Sequence, residues 1–212
     1  MDQVRRHSGV PEEDVASVAV PTALEPDLQA TAVRLITRAE AMGLIATDDL
    51  LTLSRSSLTA ALDAFFKAGI GRLLTKPTEA DEDLRSALDL MNIVVENSPN
   101  PDTEWESLQR TLPPEVLTKL LGISESSVRR YANHGRPTPQ DVAVRLHWLA
   151  MRVADLAGAY NRFGILRWFD RPRRALNGQS PSQRLTGTWS PDDHPVIEVA
   201  DLAASLTAMS AT

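Results

Sequence analysis

The stretch "PPEVLTKLLGISESSVRRYANHGRPTPQD", Pro113 to Asp141, decides how this chain is read. Pro114 suits the first turn of a helix, where a missing N–H leaves no bond unmade. Leu117, Leu120 and Leu121 then supply an apolar face before Gly122, the residue suited to a tight turn. Ser124 is placed to cap a second helix, in which Val128 and Tyr131 point back at the first. Glu125, Ser126, Arg129, Arg130 and Asn133 are left facing outward. This is the spacing of a helix-turn-helix, whose second helix enters the major groove of DNA.

The outward face has the matching chemistry. Arginine donates two parallel hydrogen bonds to guanine and asparagine does the same to adenine, which makes Arg129, Arg130 and Asn133 the base-reading candidates. The hydroxyls of Ser124, Ser126 and Ser127 suit phosphates or either base, Glu125 suits cytosine as an acceptor, and Arg136 completes the expected DNA-binding set. The competing reading is a helical hairpin inside an all-helical domain. Thr118 sits where helix-turn-helix motifs prefer a smaller residue.

Charge distribution favours the first reading. The chain has 212 residues and a formal charge of -6. Residues 1–114 carry 10 basic and 19 acidic groups, residues 115–175 carry 11 and 5, and the remainder carries 1 and 4. A basic block thus lies between acidic flanks and coincides with the motif. Such a block is either a solvated helix face or the electrostatic footprint of a nucleic-acid site.

Outward from the motif the periodicity is helical throughout, and the expected fold is all-α. Residues 1–25 are polar and proline-bearing and read as a flexible arm. A helical N-terminal region follows over 26–100. Leu28, Ala32, Leu35, Ile36, Ala39 and Met42 mark its first helix, stopped at Gly43. Leu50, Leu51, Leu58, Leu62, Phe65 and Phe66 mark one helix or two, with a break near Ser54. Thr78 and Asp81 have N-terminal capping spacing ahead of Leu84, Leu88, Met91 and Val95, and "NSPNP" (97–101) ends that helix. Trp105, Leu108 and Leu112 open the helix-turn-helix region, 101–137. Thr138, Pro139 and Asp141 start a connecting helix, 138–163, with Val142, Leu146, Leu149, Val153, Leu156 and Tyr160 on one side and Gly164 ending it. No strand alternation and no internal repeat is evident.

Beyond it, "GILRWFDRPRRALNGQSP" (164–181) gathers Arg167, Arg171, Arg173 and Arg174 around Trp168 and Phe169. Aromatics beside arginines suit either base stacking or a small core with guanidinium groups over the rings. Following a helix-turn-helix, the order Trp168, Phe169, Pro172, Leu176, Gly178, Pro181, Leu185 resembles the C-terminal domain of the Xre/MbcA/ParS antitoxins. The resemblance runs from about Trp105 to Leu206, and "RWFDRPRRALNGQSP" is its most specific part. It implies a small helical toxin-binding domain over 164–212, with Arg167, Trp168, Arg171, Arg173 and Arg174 facing a cognate toxin, often of the RES type, which consumes NAD or transfers ADP-ribose. The N-terminal helical region and the insertion "TWSPDDHPVIE" (188–198) depart from the short members of that family.

Other classes find less support. No apolar run has the length of a membrane span or signal peptide, so the expected compartment is the cytoplasm. Without cysteine there is no disulfide framework and no thiol nucleophile, and four scattered histidines suit no metal. His147 reads as a packed or surface residue. Asp193 and His194 are neighbours, yet no nucleophile is paired with a base and no glycine-rich phosphate loop precedes a helix. The expectation is a non-enzymatic, cofactor-free DNA-binding regulator. It acts as a homodimer on double-stranded DNA, either as the antitoxin of a toxin–antitoxin pair or as a stand-alone transcription factor.

Overall fold

The computed structural model describes residues 26–46, 54–74, 81–157 and 159–210. The arm at 1–25, Leu50, Leu51 and Thr78 lie outside these. Among the described residues the regular structure is entirely helical: α1 (Pro26–Ala41), α2 (Arg55–Lys67), α3 (Asp81–Glu96), α4 (Pro101–Thr111), α5 (Pro114–Leu121), α6 (Glu125–Ala132), α7 (Gln140–Ala157), α8 (Arg162–Asp170), α9 (Pro181–Arg184) and α10 (His194–Ser210), with a 3-10 turn at Arg174–Leu176. None of these helices is long and apolar enough to cross a membrane.

The apolar spacings become buried stripes. Leu28, Ala32, Leu35, Ile36, Ala39 and Met42 are all buried on α1, as are Leu84, Leu88, Met91 and Val95 on α3. Gly43 closes the end of α1 in the left-handed region at φ 72°. The break at Ser54 is an N-cap: its side chain accepts from the Ser57 N–H, and the Ser57 hydroxyl reciprocates.

α7 differs from expectation. Instead of a connecting helix with one apolar side, it is the axis of the molecule, packed against α1, α4, α5, α8 and α10. Fourteen of its residues between Val142 and Leu156 are buried, and four of them are polar or charged: Arg145, His147, Arg152 and Asp155. The helix stops at Ala157, well short of Gly164, which lies in the first turn of α8 with its N–H donating to the Asn161 side chain at 3.0 Å. Tyr160 consequently sits in the connection, and a Cβ on Gly164 would meet Tyr160 Cβ at 2.9 Å. That close approach, not helix termination, is what glycine serves here.

One continuous apolar core runs from Leu28 on α1 to Ala203 on α10, taking in the helix-turn-helix residues and the Trp168–Phe169 pair.

Candidate nucleic-acid interface

α5 and α6 form from the local signals at Pro113–Asp141. Pro114 occupies the first turn of α5, and Gly122 ends it in the left-handed conformation (φ 65°, ψ 33°). Ser124 caps α6, accepting from the Ser127 N–H at 3.2 Å, and its hydroxyl lies 2.9 Å from those of Ser126 and Ser127. Leu117, Leu120, Leu121 and Val128 are fully buried. Tyr131 is half-buried, its ring 6.2 Å from that of Trp105 on α4. Trp105 in turn donates through Nε1 to Thr138 Oγ1 at 2.9 Å, so one indole supports the back of α6 and the segment entering α7.

The remaining side chains of α6 face solvent. Ser124, Glu125, Ser126, Arg129, Arg130, Asn133 and Arg136 are exposed, and Ser127 is half-exposed. Arg129 is not wholly free: its guanidinium lies 3.6 Å from the Glu125 carboxylate, one turn back. With both partners well exposed, such a pair contributes little to stability. Asn133 is the C-cap, and His134 at φ 54° turns the chain away, so that Arg136 stands beyond the helix end.

The second group of expected site residues divides. Arg167, Arg171 and Arg174 are exposed. Arg167 and Arg171 line a cleft of about 510 Å³ between α5 and α8, floored by Pro113, Val116 and Leu166. Lys119 Nζ and Asp170 bridge the same two helices at 3.1 Å. Trp168 does not belong to this surface. It is 1% exposed, stands edge-on to Phe169 at 5.2 Å, and has its Nε1 buried without an acceptor, so it anchors the unit from within. Arg173 is half-buried with its guanidinium 5.5 Å from the Trp168 ring, which covers the indole and removes that cation from a contact surface.

A buried ionic cluster between α1, α3 and α7 is harder to read from sequence. Arg38 on α1 donates to the Asn92 carbonyl at 2.9 Å and pairs with Glu96 at the end of α3. The other Glu96 oxygen takes Arg152 at 2.6 Å, and Arg152 also binds Asp155 at 2.8 Å. Burial alone would raise the Glu96 carboxyl, but Arg152 and Arg38 together outweigh it and hold it below the usual carboxylate range. Beside this cluster, His147 Nε2 donates to the Val95 carbonyl at 2.9 Å while Nδ1 lies 2.6 Å from Glu104 Oε1, so the ring ties the end of α3 to α4. His147 is thus a packed residue. The only sequence signal for the cluster is Arg152 and Asp155, three apart on an otherwise apolar part of α7.

No protein-family model matches the chain, and neither the curated proteins nor the solved structures contain a match.

Proposed function

We propose that this chain is a DNA-binding transcriptional regulator that reads its operator through α6 and, as the antitoxin of a toxin–antitoxin pair, holds a toxin through the α8 region. One observation carries the DNA half: α6 is fixed from behind by Val128 and Tyr131 while Arg129 and Arg130 on this short capped helix, Asn133 at its C-cap and Arg136 just beyond it are all exposed. A rigid helix with a solvated Arg/Asn row is what major-groove recognition needs. The toxin half is supported by exposed Arg167, Arg171 and Arg174 beside the α5–α8 cleft, together with the resemblance of "RWFDRPRRALNGQSP" to antitoxin C-terminal domains. Trp168 acts there as the packing anchor rather than as a contact.

Fluorescence anisotropy with labelled DNA from the protein's own upstream region tests the first half. Affinity should fall with salt by about 0.9 log units per log unit for each phosphate neutralised. A dimer would require two half-sites about one helical turn, or a multiple of it, apart. Absence of binding to that DNA at low salt overturns the reading. Co-expression with neighbouring open reading frames, followed by native mass measurement, tests the second half. If DNA binds and no neighbour co-purifies, the protein is a stand-alone regulator, a reading favoured by the ligand-sized cleft described next.

A further inference from the structure

A cleft of about 450 Å³ opens between the C-terminal end of α3, one side of α7 and the turn that leads into α10. Its volume falls within the ~300–1,000 Å³ of small-ligand sites. The apolar wall includes Trp148 and Val144 of α7 and Ile197 of α10; Ile197 is 45% exposed, one of few large apolar side chains left facing solvent among the described residues. Asn97, Gln140 and Ser190 contribute neutral hydrogen-bonding groups.

The charges on the lining decide what would fit. Arg152 reaches the cleft, but its guanidinium is held by Glu96 at 2.6 Å and Asp155 at 2.8 Å, and it lies 5.3 Å from the Trp148 ring centre. Arg38 takes the other Glu96 oxygen. Two guanidinium groups and two carboxylates therefore balance, and an incoming anion would have to displace a carboxylate already paired with Arg152. Asp192, exposed at the mouth, is different. Its backbone N–H donates to Ser190 Oγ at 3.4 Å, while its carboxylate has no ionic partner among the described residues. The surplus charge of the cleft is negative, beside an indole.

We propose that the cleft binds a small organic cation, an amine carrying an apolar group, with the ammonium at Asp192 and the apolar part against Trp148 and Ile197, and that its occupancy shifts operator affinity. The route for that shift is α7. Gln140 and Val144 line the cleft in the first two turns after the helix-turn-helix, and Val142 and Leu146, between and beyond them, lie in the core that also holds Leu117 and Val128. The coupling rests on the DNA-binding reading; the binding does not.

Isothermal calorimetry on the full chain with phenethylammonium and 3-phenylpropionate, alike in shape and opposite in charge, tests the binding. The cation should bind with a Kd on the order of 1 mM, as befits so few atoms, and the anion should not. Asp192→Lys should weaken the cation at least about tenfold by placing a like charge at the mouth, with an unchanged circular dichroism spectrum because the side chain is exposed. Ile197→Ala should weaken it a few-fold. No heat with the cation at about 10 mM, equal binding of both probes, or an unaffected Asp192→Lys variant each overturns the site. For the coupling, saturating phenethylammonium should change operator affinity in the wild type and not in Asp192→Lys. An operator affinity that responds in neither protein overturns the coupling, while loss of DNA binding without the probe counts against α6 and leaves the calorimetric result intact.

Discussion

Gly122 and Gly187 are in backbone contact: a Cβ added to Gly122 would lie 2.1 Å from the Gly187 carbonyl oxygen. The turn of the helix-turn-helix is thus closed by the segment between α9 and α10. Two residues on, Trp189 donates through Nε1 to the Leu120 carbonyl at 2.8 Å, capping the end of α5, and stands edge-on to Trp148 at 5.1 Å. The insertion 188–198, an anomaly in sequence, locks the α5–α6 turn to the C-terminal helices.

Gly122→Ala should therefore cost more than a left-handed turn usually does. The positive φ alone costs about 1 kcal/mol for alanine. Gly178 provides the comparison, since it sits at φ 80° with nothing within 4 Å of an added Cβ. Denaturant midpoints should show a small loss for Gly178→Ala and a clearly larger one for Gly122→Ala. Equal losses would mean that the contact with Gly187 relaxes without cost.

The spacing of apolar residues carried much of this fold, because helices such as α1 and α3 bury one stripe each, whereas α7 is buried on most of its surface. α5 and α6 were legible to the residue, since Pro114, Gly122 and Ser124 act locally. What escaped was non-local. Arg38, Glu96 and Arg152 stand far apart in sequence and show individually as ordinary surface charges; only the packing of α1 and α3 on α7 makes them one buried group. Trp168 illustrates the same limit on the site: an indole among arginines has the composition of a contact surface, and its burial depends on the packing of α8 against α4, α7 and α9.

The Arg129–Glu125 pair predicts an affinity change of informative sign. If α6 binds DNA as proposed, Glu125→Gln removes a negative charge from its exposed face and releases Arg129, so binding to nonspecific DNA should strengthen and the salt slope should steepen. Arg130→Ala should lose about 1–3 kcal/mol at a preferred site if the guanidinium contacts a base, and much less on random DNA. Anisotropy titrations on both DNAs measure these. Loss of only preferred-site affinity in Glu125→Gln would instead identify Glu125 as a base contact.

Trp168→Ala removes a fully buried indole and should cost about 3–5 kcal/mol. The core is continuous from α8 through α7 to α5, and Trp189 ties the C-terminal segment to Leu120, so the damage should not remain local. Thermal unfolding followed by tryptophan fluorescence and by circular dichroism should give one coincident transition at reduced temperature, with DNA binding lost as the protein unfolds. Two separated transitions, the later one retaining DNA binding, would show that the helix-turn-helix stands without the C-terminal helices.

The Glu96 cluster ties stability to pH. Arg152 and Arg38 overcome the effect of burial and depress the Glu96 carboxyl in the folded chain. A depressed carboxyl stabilises the fold above its unfolded pKa, about 4.3, and this contribution disappears as pH falls through the lower folded value. Asp155 acts in the opposite sense: burial raises its carboxyl against the pull of Arg152 and Arg38, so the acid dependence of the whole protein mixes both signs. Comparing wild type with Glu96→Gln isolates the first. At pH 7 the variant should be destabilised by less than the ~3–5 kcal/mol of breaking a fully buried pair, because Glu96 is 33% exposed and the amide oxygen still accepts from one arginine. The difference between the two proteins should be constant from pH 7 to about pH 5 and shrink below about pH 4.3. Urea titrations across that range measure it. A difference that stays flat into acid would mean that Glu96 is held by packing rather than by its charge, and a difference that grows would reverse the sign of its interaction with Arg38 and Arg152.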